Sequence, residues 1–273
     1  MAQECKIDKG ELLRLSCEFC QLPETRKTAL FACLYEADQV IDFPRIPKDF
    51  FVAQNIAPLG VEGGQFMLLP KPKLNGHTLS LASLENQDSL REACSNFFSA
   101  LCALYPGNEL LVFEHGPGFI HDEPIACGGC HMDHAHANVV VLPSVERYYS
   151  GIKQRTEEIL DQWGWESSVR RGISSRQVFA GIKDIAGRNP YVHIGIVRKP
   201  DSEESVTYLQ QTQQEFVPSQ LLRRVIANIV YKTDDPVFWN WQDAVSLGDK
   251  AALRSKVYAF RKIFKLSVEK NSL

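Results

Sequence analysis

One stretch limits what this chain can become: Cys127-Gly-Gly-Cys-His-Met-Asp-His-Ala-His-Ala-Asn-Val-Val-Val-Leu-Pro143. His134, His136 and Asn138 alternate with Ala135, Ala137 and Val139. In an extended chain successive side chains point to opposite faces. The alternation therefore predicts a strand with two imidazoles and an amide on one face and small apolar residues on the other. The apolar run to Leu142 then buries the rest of that strand. A plain strand whose polar side chains are merely satisfied is the bland alternative. Two histidines and an amide in a row after Gly-Gly-Cys favour chemistry over it.

The rest of the chain supplies a frame for such a strand. At 273 residues, with 44% apolar residues, there is ample material for a core. A net charge of −3 gives no basic excess for a nucleic-acid backbone, so no DNA or RNA partner is expected. No apolar run approaches the roughly 18 residues of a membrane span, and the N-terminus shows no signal-peptide core. A cytoplasmic protein is expected. Eight cysteines are many for that compartment, where thiols stay reduced. Four of them form two Cys-x-x-Cys pairs, Cys17/Cys20 and Cys127/Cys130, a spacing that there more often holds zinc than a disulfide. Cys94 reads as a small core residue on a helical stripe.

Strand patterns fall at Ala29–Tyr35, Phe50–Ile56, Gln65–Pro70 after the Gly63-Gly64 turn, Leu110–Phe113 and Tyr191–Val197, with Val206–Gln210 as a pairing partner for the last. Leu90, Ala93, Cys94, Phe97, Phe98, Leu101 and Leu104 recur at helical steps, predicting a helix over Asn86–Tyr105 that Pro106-Gly107 stops. Ser144–Trp163 reads as a helix, and Gln220–Val230 as another with Ser219 as its N-cap. A basic helix over Ala251–Phe264 is expected at the periphery. Gly116–Ala126 reads as a loop, and 170–185 has no clear pattern. Arg223 and Arg224 could clamp a phosphate, but a helix with two arginines is usually a solvated face.

The His-Ala-His-Ala-Asn run ending in Val-Val-Val-Leu-Pro resembles the signature of the histidine-triad (HIT) superfamily, His-x-His-x-His leading into a buried strand. Phe113-Glu114-His115 and Gly129-Cys130 are also similar to the galactose-1-phosphate uridylyltransferase branch, where Phe-Glu-Asn and Gly-Cys-Ser precede His-Pro-His-x-Gln. Tyr35-Glu36, Asn55-Ile56-Ala57-Pro58 and Leu69-Pro70-Lys71 follow the family's order, so the resemblance spans residues 15–143. The departure is Asn138, neither the histidine of the hydrolases nor the glutamine of the transferases. The implied fold is α+β: an antiparallel sheet with packed helices. Residues 1–210 would form the catalytic domain and 211–273 a helical extension packed on it. Homodimers occur in the family.

The resemblance implies that His136 is a nucleophile carrying a covalent nucleotidyl group. Imidazole suits this because its ordinary pKa of about 6.5 leaves much of it neutral. The backbone carbonyl of His134 would fix its tautomer. Backbone N–H groups around Gly129, Cys130 and His131 would hold phosphate, since glycine lets the chain approach an anion. Asn55 aligns with the ribose-binding position, although an asparagine before Pro58 also suits a plain turn. The family's zinc ligands carry over to Cys17, Cys20, His77 and His134, a closed tetrahedral set. Four thiolates from Cys17, Cys20, Cys127 and Cys130 are the rival set, and both remain open.

The activity so implied is hydrolysis of a nucleoside phosphoanhydride, phosphoramidate or nucleotide conjugate, releasing a nucleoside monophosphate. Asn138 cannot exchange protons, which motivates an alternative: transfer of the nucleotidyl group to phosphate or a sugar phosphate. A nucleotide-binding module without turnover is the third reading.

Overall fold

The computed structural model describes residues 18–71, 81–116, 118–120, 123–125, 135–162, 164–173, 179, 182–183, 190–199, 202–210 and 220–270. In chain order these give α1 (Glu18–Thr25), α2 (Ala29–Leu34), β1 (Val40–Ile41), β2 (Phe50–Gln54), β3 (Gln65–Pro70), α3 (Gln87–Leu104), β4 (Glu109–Gly116), β5 (Gly118–Ile120), β6 (Glu123–Ile125) and β7 (Ala137–Leu142). There follow α4 (Val145–Asp161), β8 (Trp165–Ile173), β9 (Tyr191–Lys199), β10 (Ser202–Gln210), α5 (Leu221–Tyr231), α6 (Pro236–Trp239), α7 (Trp241–Ser246) and α8 (Lys250–Lys270).

Eight strands form one sheet in the order β1-β2-β3-β7-β4-β9-β10-β8, with every neighbouring pair antiparallel. The architecture is α+β, as expected. β7, which begins one residue after His136, lies between β3 and β4, which the α3 crossover leaves one strand apart. That position makes β7 an interior strand, and its residues 139–142 are all buried.

Register assigns the side chains to faces, because directly paired residues share one. Ile41, Val52, Leu68, Ala137, Phe66, Val139 and Val112 lie on one face. They join Phe97, Leu101 and Phe260 from α3 and α8 in one continuous core. Phe97 stands edge-on to Phe43 at 5.1 Å and to Phe66 at 6.1 Å. On the opposite face the apolar residues separate into two groups. Leu22 of α1 covers Val40, Phe51, Ala53, Met67 and Leu69. Leu111, Phe113, Val140, Val192 and Ile194 pack instead under Ile152 of α4 and Leu222 and Val225 of α5.

Several elements depart from the sequence expectation. Ala29–Leu34 is a helix, not a strand: Thr28 accepts a hydrogen bond from the Phe31 N–H as its N-cap. A short apolar run suits either form, and the cap decides. The expected loop over Gly116–Ala126 holds the β5–β6 hairpin. Gln220, in the left-handed region at φ 63°, caps α5 where Ser219 was expected. The basic C-terminal helix is no peripheral element, since Val257 and Phe260 are fully buried. It lies against the turn before β3, where a side chain on Gly63 (φ 77°) would put its Cβ 1.9 Å from the Lys256 carbonyl oxygen.

Candidate active site

Met67, Asn138 and Phe113 form one cross-strand row on the face covered by α1, α4 and α5. Met67 belongs to the group under α1 and Phe113 to the group under α4 and α5. Asn138 therefore sits on the seam between two apolar clusters, and it is half-buried in a strand otherwise closed to solvent. His136, one alternation further on, is also half-buried. Sequence alternation puts these two residues on one face, and the register places Asn138 there.

His115, in the place of the Asn of Phe-Glu-Asn, could from sequence orient substrate or simply cap a strand, and its ring feels the charge of His136. Phe113 pairs with Asn138 at the end of the β4–β7 ladder, and His115 and His136 each lie two residues beyond that pair. Burial, followed by the charge of His136, pushes the His115 imidazole down to about 4. It is therefore neutral across the physiological range. On its other side His115 pairs with Val192. The available signal was again alternation, since Phe113 and His115 share a face.

The intervening Glu114 points into the opposite, core face. Its carboxylate accepts from the Tyr191 hydroxyl at 2.5 Å and from the Leu81 N–H at 2.8 Å. Burial pushes this carboxyl up to about 8, against the pull of those two bonds. Tyr191 reaches it by lying over Gly116, where a Cβ would come within 2.2 Å of the ring. His193, paired with Glu114, is buried beside Phe179 at 5.1 Å.

Asn55 follows β2 and pairs through its N–H with the Gln65 carbonyl. Its side-chain oxygen accepts from the Ala57 N–H at 3.1 Å and from Arg223 Nη1 at 3.3 Å. From the Gln65 row to that of Leu69 and His136 is four residues, about 13 Å along the sheet. Arg223 corrects the expectation of a solvated arginine face: it is 5% exposed. Its guanidinium also donates to Gln65 Oε1 (2.9 Å), the Ala57 carbonyl (2.7 Å) and the Trp239 carbonyl (2.7 Å). Burial pushes it down to about 9, still charged at neutral pH. Arg224, by contrast, is exposed and pairs with Asp234 at 2.6 Å.

His134, Gly129, Cys130, His131, Cys17, His77 and Cys127 lie outside the described residues. Of the zinc sets only Cys20 falls within them, on the backbone of α1. Among the described residues no cluster of three metal-ligating side chains occurs, and no helix is long and apolar enough to cross a membrane.

No protein-family model matches the chain, and no curated protein matches it. Solved structures similar to it include two uridylyltransferases. One is titled a structure of uridylyltransferase, with 12% identity over 78% of this chain and 85% of that one, and a TM-score of 0.40. The other is a uridylyltransferase mutant, with 11% identity over 78% and 87% and a TM-score of 0.39. The similarity is distant, and nothing about the site follows from it.

Proposed function

We propose that this chain is an enzyme that moves a nucleotidyl group through a covalent bond to His136. The observation that supports it is the seam: an imidazole and an amide, half-open to solvent, between two apolar clusters on an interior strand. A histidine kept only for packing gains nothing from that position. In the first step a ring nitrogen of His136 attacks the α-phosphorus. The N–P bond forms as the phosphoanhydride or phosphoramidate bond breaks, and the leaving group departs with the electron pair, as a phosphate oxyanion or, with a proton taken from solvent, as an amine. In the second step an acceptor oxygen attacks phosphorus and the N–P bond breaks, restoring the imidazole.

With water as acceptor the product is a nucleoside monophosphate, and this is the principal reading. Transfer to phosphate or a sugar phosphate is the second reading, favoured by Asn138, which shares the face of His136 yet carries no transferable proton. Phosphate binding by Gly129, Cys130 and His131, and ribose binding by Asn55, belong to the same proposal. Asn55 has its side-chain oxygen engaged, so its amide N–H₂ would be the group offered to a ribose.

Zinc, held by Cys17, Cys20, His77 and His134, completes it as a structural staple. The support is the side of the sheet on which α1 packs: Leu22 lies against Met67 and Leu69, on the face of His136. When bound, the metal would tie the N-terminal segment to the strand beside the nucleophile. Metal analysis of the purified protein checks this, with about one zinc per chain expected and less in Cys20→Ser.

Mass spectrometry after mixing with dinucleotides, sugar nucleotides and amine-linked nucleotides tests the chemistry. A nucleoside monophosphate adduct on His136, absent in His136→Asn, is the expected result. Added phosphate that speeds turnover and yields a nucleoside diphosphate would select the transferase reading. Intact binding with no adduct and no turnover across the panel would leave only a binding module.

A further inference from the structure

Nucleotidyl transfer to water leaves a proton that some group must take, and Asn138 cannot take it. The next imidazole on the same face belongs to the neighbouring strand. His115 and His136 each lie two residues beyond the Phe113–Asn138 pair that ends the β4–β7 ladder, and the charge of His136 acts on the His115 ring. Both are half-buried at the seam. Val192, the partner of His115 on β9, is apolar and buried, so no competing charge faces the ring from that strand.

We propose that His115 is a further catalytic residue, the acceptor of the proton released when water attacks the nucleotidyl group on His136. This rests on the His136 reading given above. Water oxygen bonds to phosphorus, the N–P bond breaks with its electron pair returning to His136, and the water proton passes to His115. The ring enters the step unprotonated, because burial keeps it neutral. A bound phosphate then raises its basicity, since a nearby negative charge favours the charged imidazole. The role is split between two segments: the nucleophile directly precedes β7, and β4 carries the base. An anionic acceptor such as inorganic phosphate has an unprotonated oxygen at neutral pH and needs no such base.

The two acceptors therefore separate the roles. The 5′-phosphorimidazolides of the four ribonucleosides are activated enough to load His136 without help from a second group. Wild-type protein, His115→Gln and His115→Asn are loaded, the adduct is confirmed by mass, and its release is followed in buffer and in inorganic phosphate. Loading of all three proteins is expected. Release by water should slow about 10²-fold or more in both variants, the usual span of general-base catalysis, and release by phosphate should stay within about threefold.

Four results overturn the assignment: unchanged release by water in the variants, equal slowing with both acceptors, failure of both variants to load, or a wild-type adduct inert to water. Failure of the wild-type protein to load with any of the four nucleotides overturns the His136 proposal itself, and His115 with it.

Discussion

The two faces of the central sheet are built from the same strands and spend their residues differently. Beneath α3 and α8 the side chains of β2, β3, β7 and β4 merge into one unbroken core. Beneath α1, α4 and α5 they divide, and His136 and Asn138 occupy the gap. Adjacent residues of β4 carry the contrast in miniature. Glu114 faces the core and is pushed up to about 8, while His115 faces the seam and is pushed down to about 4. Burial drives both towards neutrality. The lesson is that an interior strand can be wholly structural on one side and chemically equipped on the other, because alternation separates the two demands.

The sharpest way to break that contrast is to exchange one residue from each face. His136→Asn should abolish adduct formation and lower turnover by several orders of magnitude, as loss of a nucleophile does. Its thermal midpoint should hardly move, since the side chain is half-exposed and packs no core. Phe97→Ala, on the other face, should cost about 3–5 kcal/mol of stability through the cavity it leaves among Phe43, Phe66 and Phe98. The surviving folded fraction should keep its activity. Denaturant titration together with adduct yield measures both. A Phe97→Ala protein that is fully stable but inactive would refute the division of labour.

How far the sequence carried this picture depended on what kind of information each element needed. The strand from Ala137 and the helix from Gln87 were legible because periods of two and of about 3.6 residues are written locally. Ala29–Leu34 was misread because its apolar run has no period, and a single Thr28 hydroxyl decides its form. Val257 and Phe260 were hidden in a helix rich in Lys and Arg, whose buried stripe is narrow. Nothing local told Arg223 from Arg224, although one is enclosed and the other solvated. His115 could from sequence orient substrate or cap a strand, and nothing local related it to His136, since the two come from separate segments.

Arg223 tests the contrast from within, as a polar residue on the site-bearing side with a structural position. It binds Gln65, Ala57 and Trp239, joining the segment after β10 to the start of β3. Hydrogen bonds to a buried charge are each worth about 1.5–3 kcal/mol, and the acceptors left behind keep their desolvation cost. Arg223→Met should therefore destabilise by about 2–3 kcal/mol in denaturant titration, with loading of His136 intact in the folded protein. Loss of loading at unchanged stability would instead move Arg223 into the chemistry.

Glu114 gives the most specific signature. Its folded carboxyl, at about 8, holds a proton that the unfolded chain, near the ordinary 4.5, gives up. Between those values the folded state binds more protons, so stability falls as pH rises. The contribution is complete below about 4.5, declines through neutrality and is gone above about 8. Glu114→Gln removes the titration, keeps an oxygen for the Leu81 N–H and turns an amide towards Tyr191. Its denaturation midpoint, followed from pH 5 to 9, should lose the downward slope that the wild-type protein shows, while the pH dependence of His136 loading stays as it was. A variant that alters loading and leaves the stability profile untouched would mean that the two faces of β4 are coupled, and the separation argued from alternation would fail at its most buried point.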